Sequence, residues 1–130
     1  MKILIDTQVF IWLINDDARI GKTSRVLLDD TANQIYLSYF SCFEMAIKAS
    51  IGKLSYDASI VDDLPKMGID LLMPSTKALA GYAVHDPVNK DPFDNMLITV
   101  ARAERCTLIT SDHKILAASV KGLACRDARQ

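Results

Sequence analysis

The feature that most limits the fold of this chain is the run from Lys90 to Asp112, KDPFDNMLITVARAERCTLITSD. Asp91 followed by Pro92 is typical of a helix start, because Asp accepts hydrogen bonds from free N–H groups and Pro suits the first helical position. Apolar residues then recur at helical spacing, which predicts a largely buried helix. The apolar, β-branched segment 107–110 predicts a buried parallel strand that ends at Ser111 and Asp112.

This run also predicts where two acids lie. A helix that leads into a strand of an α/β sheet runs antiparallel to it, so the helix start and the strand end share one edge of the sheet. Asp94, in the first helical turn, and Asp112, after the strand, are therefore predicted to meet. Open α/β sheets bind ligands at this edge, outside the carboxyl ends of their parallel strands.

The rest of the chain alternates short apolar strands with helices. Further strands are predicted at 2–5, 35–38, 69–73 and 123–125, and further helices at 8–14, 22–31, 41–51, 57–65, 75–84 and 112–119. Leu79 and Ala80 are expected on the inner face of the 75–84 helix. This order predicts an α/β protein, a three-layer α/β/α sandwich with a central parallel sheet of four to five strands. A length of 130 residues, half of them apolar, suits a single domain over 1–130.

Charge and cysteine content exclude several classes of protein. The formal net charge of −1, from 15 basic and 16 acidic residues, argues against nucleic-acid binding by bulk positive charge. The three widely spaced cysteines, without a CxxC pair, indicate neither a disulfide framework nor a zinc site, which favours a reducing cytoplasm. The N-terminal segment lacks the pattern of a signal peptide, and no apolar stretch is long enough to span a bilayer. A cytoplasmic protein without a membrane partner is therefore expected.

Four acids are predicted to share the carboxyl edge of the sheet: Asp6 after the first strand, Glu44 in the first turn of the helix after the second, Asp94 and Asp112. Two carboxylates about 4 Å apart repel by ~4 kcal/mol at an effective dielectric near 20, so such a cluster needs a countercharge. Oxygen ligands without neighbouring Cys or His indicate Mg²⁺ or Mn²⁺. Such an ion can activate water and stabilise charge on a phosphodiester.

Each of these acids also has a purely structural explanation. Ser41 and Glu44 have the spacing of a capping box, and Lys48 lies at i+4 from Glu44. Asp94 and Asp112 could each favour a helix start. The coincidence of four acids at one edge nevertheless favours a metal site.

Polar neighbours of the acids have predicted supporting roles. Three hydroxyl side chains are placed to orient carboxylates by hydrogen bonds: Thr7, Ser41 and Thr110. Three basic side chains are candidate contacts for phosphate groups: Lys48, Arg102 and Lys114. The aromatic residues Phe10, Trp12 and Phe43 are expected in the core rather than as base-stacking surfaces.

Four motifs follow one another along most of the chain: ILIDTQVFIW, SCFEMAIKASIGKL, DPFDNMLITVA and TLITSD. In this order and spacing they resemble the PIN-domain family of metal-dependent ribonucleases, in particular its VapC-type toxin branch. Carried over by motif, the family's metal-binding acids fall on Asp6, Glu44, Asp94 and Asp112. The resemblance implies an endoribonuclease that cuts RNA with Mg²⁺ or Mn²⁺, usually a homodimer, made with an antitoxin that blocks the site. Close relatives often carry Arg after DPFD and His just before it, where this chain has Asn95 and a more distant His85, which leaves substrate preference open.

Two other function classes remain open from the residues. A receiver-like or phosphatase protein would transfer a phosphoryl group through Asp6, but such proteins need a second acid beside it, and Ile5 and Thr7 are its neighbours. A non-catalytic interaction module would use the acids only as helix caps and the apolar N-terminal helices as a dimer face.

Overall fold

The protein is described by a computed structural model over residues 1–84 and 90–130. In these ranges five strands form one sheet: β1 (Lys2–Ile5), β2 (Gln34–Ser38), β3 (Ile69–Leu72), β4 (Thr107–Thr110) and β5 (Ala124–Asp127). All four neighbouring pairs are parallel, in the order β3-β2-β1-β4-β5. The predicted parallel sheet is confirmed, and the last strand lies slightly later than expected, after a turn at Gly122 with a φ of 78°.

Helices connect the strands throughout the described ranges. Their bounds are α1 (Thr7–Ile14), α2 (Lys22–Asp29), α3 (Tyr39–Ser50), a 3₁₀ segment (Ala58–Met67), α4 (Thr76–Ala80), α5 (Pro92–Ala103) and α6 (His113–Ala118). The predicted polar loop over 86–90 and His85 lie, apart from Lys90, outside the described residues. Within those ranges, no helix combines the length and the apolar character needed to cross a bilayer.

The strand order fixes the position of the crevice at the sheet edge. From the central strand β1 the chain builds β2 and β3 on one side, then crosses to build β4 and β5 on the other. The direction of winding therefore reverses between β1 and β4. In open parallel sheets this reversal leaves a crevice at the carboxyl ends of the two strands, where ligands bind.

Helices cover both faces of the sheet, which confirms the three-layer architecture. Because side chains alternate along a strand, Ile3 and Ile5 face one core, which contains Phe10 of α1. Leu4 faces the other core, with Ile98 of α5. All of these side chains are fully buried.

The start of α3 differs from the prediction. The expected cap at Ser41 with Glu44 three residues later is wrong, because α3 begins at Tyr39. Ser38 caps it instead, and its hydroxyl accepts a hydrogen bond from the Phe40 N–H at 3.2 Å. Since Ser38 is also the last residue of β2, the helix follows the strand without a loop, and Glu44 falls in its second turn.

Helix α4 is shorter than predicted. It begins after the cap residue Ser75 and ends before Gly81. Ala78 is the residue that it buries, whereas Leu79 is 43% exposed and Ala80 is exposed, so the predicted inner face was wrong.

Candidate functional site

Asp6 lies directly between β1 and α1 and is almost completely buried. Its Oδ1 accepts a hydrogen bond from the Val9 N–H at 2.7 Å, which makes Asp6 the N-cap of α1. Its Oδ2 accepts from the Thr110 hydroxyl at 2.6 Å and from the Ser111 N–H at 2.9 Å. Donors from α1 and from the end of β4 therefore hold this carboxyl in one orientation.

The surroundings of Asp6 change its acidity. Burial raises its pKa from the ordinary value of 3.8, and the nearby charge of Asp112 raises it further. The hydrogen bonds from Thr110, Val9 and Ser111 favour the ionised form and act in the opposite direction. The pKa of Asp6 is raised overall, so the effect of burial on the pKa is larger than that of the three hydrogen bonds.

Glu44 projects from the second turn of α3, and both of its carboxylate oxygens have partners. The Thr7 hydroxyl donates to Oε1 at 2.8 Å, so α1 and α3 are joined through this pair. Lys48 lies one turn further along α3, and its Nζ is 3.1 Å from Oε2. The Glu44 side chain is 18% exposed and that of Lys48 is 46% exposed.

The remaining acids stand at helix starts. Asp91 caps α5, and its Oδ1 accepts from the N–H groups of Phe93 at 2.8 Å and Asp94 at 3.3 Å. Asp94 itself lies in the first turn of α5. Asp112 caps α6 by accepting from the Lys114 N–H at 2.8 Å, so its structural explanation holds as well.

These acids line one cavity of about 330 Å³ at the carboxyl edge of the sheet. Five carboxylates from four separate parts of the chain contribute to it: Asp6, Glu44, Asp91, Asp94 and Asp112. Lys48 is the one basic side chain among the described residues that line it. Its apolar wall is formed by Ile11, Phe40, Phe93 and Leu97. The cavity lining therefore combines a concentration of carboxylates with several apolar side chains.

The donor chemistry of this cavity suits a hard divalent cation. Its titratable lining residues are carboxylates and one lysine, without His or Cys among the described residues, and oxygen ligands are those that Mg²⁺ and Mn²⁺ prefer. In residues 1–84 and 90–130, however, no group of three or more Asp, Glu, His or Cys side chains is close enough to hold a metal ion. The Asp6 and Glu44 carboxylates instead bind N–H, hydroxyl and ammonium donors of the protein.

Of the other predicted site residues, some lie at the acidic cavity and one does not. Ser41 is buried and lines the cavity. Lys114 lines an adjoining cleft together with Asp94 and Asp112. Arg102, near the other end of α5, lines a separate cavity close to Gly122, so it is not brought to the acids.

Sequence reasoning missed several features of the site. Asp91 lines the cavity as well as capping α5, which its position three residues before Asp94 could have indicated. The expectation that Phe43 is buried is wrong: it is 54% exposed, and its ring centroid lies 6.0 Å from that of Phe93. Asn95 is fully buried, and its side-chain amide donates to the Asp91 carbonyl at 2.9 Å, so it supports the start of α5.

The fold and the cavity together define an α/β/α domain. Its carboxylate-lined site lies at the carboxyl ends of β1 and β4, where the winding of the chain reverses. The sequence matches the family model described as the PIN domain over residues 3–121. The chain therefore belongs to the PIN-domain family.

Solved structures with the same fold support this assignment. The chain is similar to VapBC-1 from nontypeable Haemophilus influenzae, with 19% identity, a TM-score of 0.67 and complete coverage of both chains. It is also similar to VapBC2 from Rickettsia felis bound to a DNA fragment from their promoter, with 17% identity and a TM-score of 0.65, covering 97% of this chain and 98% of that one. At this identity the likeness shows the fold. No curated protein matches the sequence.

Proposed function

We propose that this protein is a divalent-metal-dependent endoribonuclease that acts as the toxin of a toxin–antitoxin pair. The observation that carries the proposal is the convergence of acids from distant parts of the chain on one cavity at the sheet reversal. Membership of the PIN-domain family and the fold shared with the two VapBC structures support it. The cognate antitoxin is proposed to cover this cavity, and a homodimer is the proposed form of the protein.

The metal ligands are proposed to be Asp6, Glu44, Asp94 and Asp112. When bound, Mg²⁺ or Mn²⁺ would supply countercharge beyond the single ammonium group of Lys48 and a Lewis acid for water and phosphate. Because no preformed group of ligands exists in the described residues, side-chain rotation is needed to draw the carboxylates together.

The chain's own residues supply orientation and charge. The Thr110 hydroxyl and the Ser111 N–H fix Asp6, and the Thr7 hydroxyl fixes Glu44. Lys48 and Lys114 are proposed to contact RNA phosphates; their positions in the lining of the acidic cavity and of its adjoining cleft support this. Arg102 has no part in this proposal.

Cleavage of RNA by an Asp94→Asn variant tests the metal-dependent activity. Labelled single-stranded RNA is incubated with purified protein in Mg²⁺, in Mn²⁺ or in EDTA. Loss of several kcal/mol of charge stabilisation predicts a decrease of about 100-fold or more in cleavage rate, at ~1.4 kcal/mol per tenfold. Asp70→Asn is the matched control, because Asp70 is an exposed residue of β3 that does not line the cavity. Equal rates for Asp94→Asn and wild type would refute the proposed site.

Thermal melting separates loss of metal binding from loss of structure. Saturating Mn²⁺, about 100-fold above its Kd, should stabilise the wild-type protein by ~2.7 kcal/mol. Asp94→Asn should remain folded and lose most of this response.

Co-expression with the product of an adjacent gene then tests the antitoxin, which should co-purify with the protein and suppress RNA cleavage.

A further inference from the structure

We propose that Lys48 is the built-in countercation of the metal-free site, and that it gives up Glu44 to a divalent ion and then becomes free to bind an RNA phosphate. This inference rests on the proposed function and describes how the same cavity is regulated. It makes metal binding precede RNA binding.

The first support is that each oxygen of the Glu44 carboxylate already has a donor from the protein. The Thr7 hydroxyl donates to Oε1 at 2.8 Å, and the Lys48 ammonium lies 3.1 Å from Oε2. A divalent ion that approaches Oε2 from the side of Lys48 meets the ammonium group there and repels it. Thr7 can keep its hydrogen bond during this exchange, because it uses the other oxygen.

The second support is the charge of the cavity lining. Five carboxylates line the cavity, and Lys48 is the single basic side chain that faces them among its described lining residues. One negative charge of the metal-free cavity, that of Glu44, is thus paired with an ammonium group that belongs to the protein. A bound divalent ion would repel this group, so metal and ammonium compete for the same place.

The third support is the freedom of the Lys48 side chain to move. It is 46% exposed, whereas Glu44 is 18% exposed, so the ammonium group can leave without a change in the backbone. A lysine carries its charge on a flexible four-carbon chain with three donors, which suits transfer from a carboxylate to a phosphate. The sequence carries only a formal charge of −1, so one released cation at the acidic cavity matters for RNA binding.

Titration with Mn²⁺ alone tests the exchange without RNA. Lys48→Met should lower the Kd for Mn²⁺ about fivefold, measured by isothermal titration calorimetry. The metal no longer has to break the partly exposed ion pair between Lys48 and Glu44, and the strength of such a pair corresponds to a change of this size. Lys48→Arg should keep the wild-type Kd, because Arg still pairs with Glu44. Lys53→Met is the matched control: it removes the same charge from an exposed residue just beyond α3 that does not line the cavity, and the Kd should not change.

A direct measurement on the wild-type protein complements the variants. In ¹⁵N spectra of lysine side chains, the Lys48 NH₃⁺ signal should shift and become more mobile as Mg²⁺ is added, and the Lys53 signal should not. In RNA cleavage, Lys48→Met should raise KM about tenfold, the loss of one charged hydrogen bond, and Lys48→Arg should restore it.

The outcomes distinguish this inference from the proposed function. If the wild-type protein binds Mn²⁺ and cleaves RNA, but Lys48→Met binds Mn²⁺ no more tightly and the Lys48 signal is unchanged by Mg²⁺, the exchange is refuted and the nuclease stands. If the wild-type protein neither binds Mn²⁺ nor cleaves RNA, both are refuted. Tighter Mn²⁺ binding by Lys53→Met would also overturn the exchange, because general charge would then explain the effect.

Discussion

The hydroxyl of Thr110 connects two of the acids, so its removal gives a sharp prediction. Thr110 is fully buried, donates to Asp6 Oδ2 at 2.6 Å and accepts from the Asp112 N–H at 3.0 Å. Thr110→Val keeps nearly the same shape and removes both bonds. Loss of a hydrogen bond to a charged group costs about 1.5–3 kcal/mol, and an N–H left without its acceptor adds about 1 kcal/mol or more. The expected decrease in the free energy of unfolding is therefore about 3 kcal/mol.

Urea unfolding of the metal-free protein in EDTA measures this decrease. Thr99→Val is the matched control, because Thr99 is also buried and its hydroxyl donates to the Asn95 carbonyl at 2.8 Å, a neutral bond within α5. That substitution should cost about 1 kcal/mol or less. If Thr110→Val is no more destabilising than Thr99→Val, the carboxylate bond is not the source of stability that the structure indicates.

The pH dependence of the same difference provides a second check. The Thr110 hydrogen bond lowers the pKa of Asp6, so Thr110→Val should raise it further. Because the bond stabilises the ionised carboxyl, the difference in stability between the two proteins should grow as the pH rises through the pKa of Asp6. A difference that is independent of pH would contradict this explanation.

Other perturbations test the buried acid, the caps and the backbone packing. The pKa of Asp6 in the folded protein is raised above 3.8, its value in the unfolded chain, so its protonated form contributes stability that is fully present below pH 3.8 and is lost as the pH rises through the folded pKa. Asp6→Asn should remove this decline from the urea midpoints measured against pH. An unchanged pH profile would disprove the role of Asp6. Asp112→Asn should retain the cap of α6, whereas Asp112→Ala should cost about 1 kcal/mol, and both should weaken Mn²⁺ binding in calorimetry. Gly21→Ala should lower the free energy of unfolding in urea by about 1–3 kcal/mol, because a Cβ there would lie 2.2 Å from the backbone carbonyl carbon of Gln130. Wild-type stability of this variant would show that the backbone around Gln130 moves aside at little cost.

The sequence was most informative where an acid adjoins a buried strand. Asp6 directly follows an apolar run that is typical of an inner strand of a parallel sheet, and Asp112 follows another after Ser111. Strand ends and the following helix starts then lie at the same edge by geometry. Asp94 was placed there because its helix leads into β4. These three positions need no knowledge of side-chain conformation.

Glu44 was placed at the correct edge for an incorrect local reason. The Ser41 and Glu44 spacing suggested a first turn, but α3 begins earlier because Ser38 caps it from the end of β2. Ser41, Glu44 and Lys48 are spaced by three and four residues, so they share one face of α3, and all three line the cavity. The helical face, rather than the helix start, brings Glu44 to the site.

The distances between the acids could not be obtained from the sequence. Topology brings the backbones to one edge, but side-chain conformation follows from competing donors such as the Val9 N–H and the Lys48 ammonium. The exposure of Phe43 was also hidden, because an apolar residue on a helix indicates a buried face only when another element covers it.

Three of the acids at the cavity are helix caps, and this double role explains how the fold tolerates them without a bound ion. Asp6, Asp91 and Asp112 stand at the N-termini of α1, α5 and α6, where unpaired N–H groups carry a partial positive charge of about half a unit. Each carboxylate is thus stabilised by its own helix, even though its neighbours in the cavity repel it. In the proposed metal site, the same residues would therefore affect stability and metal binding in different ways. Substitution by Asn keeps the cap and removes the charge, whereas Ala removes both, so only the Asn variants can separate catalysis from folding in this protein.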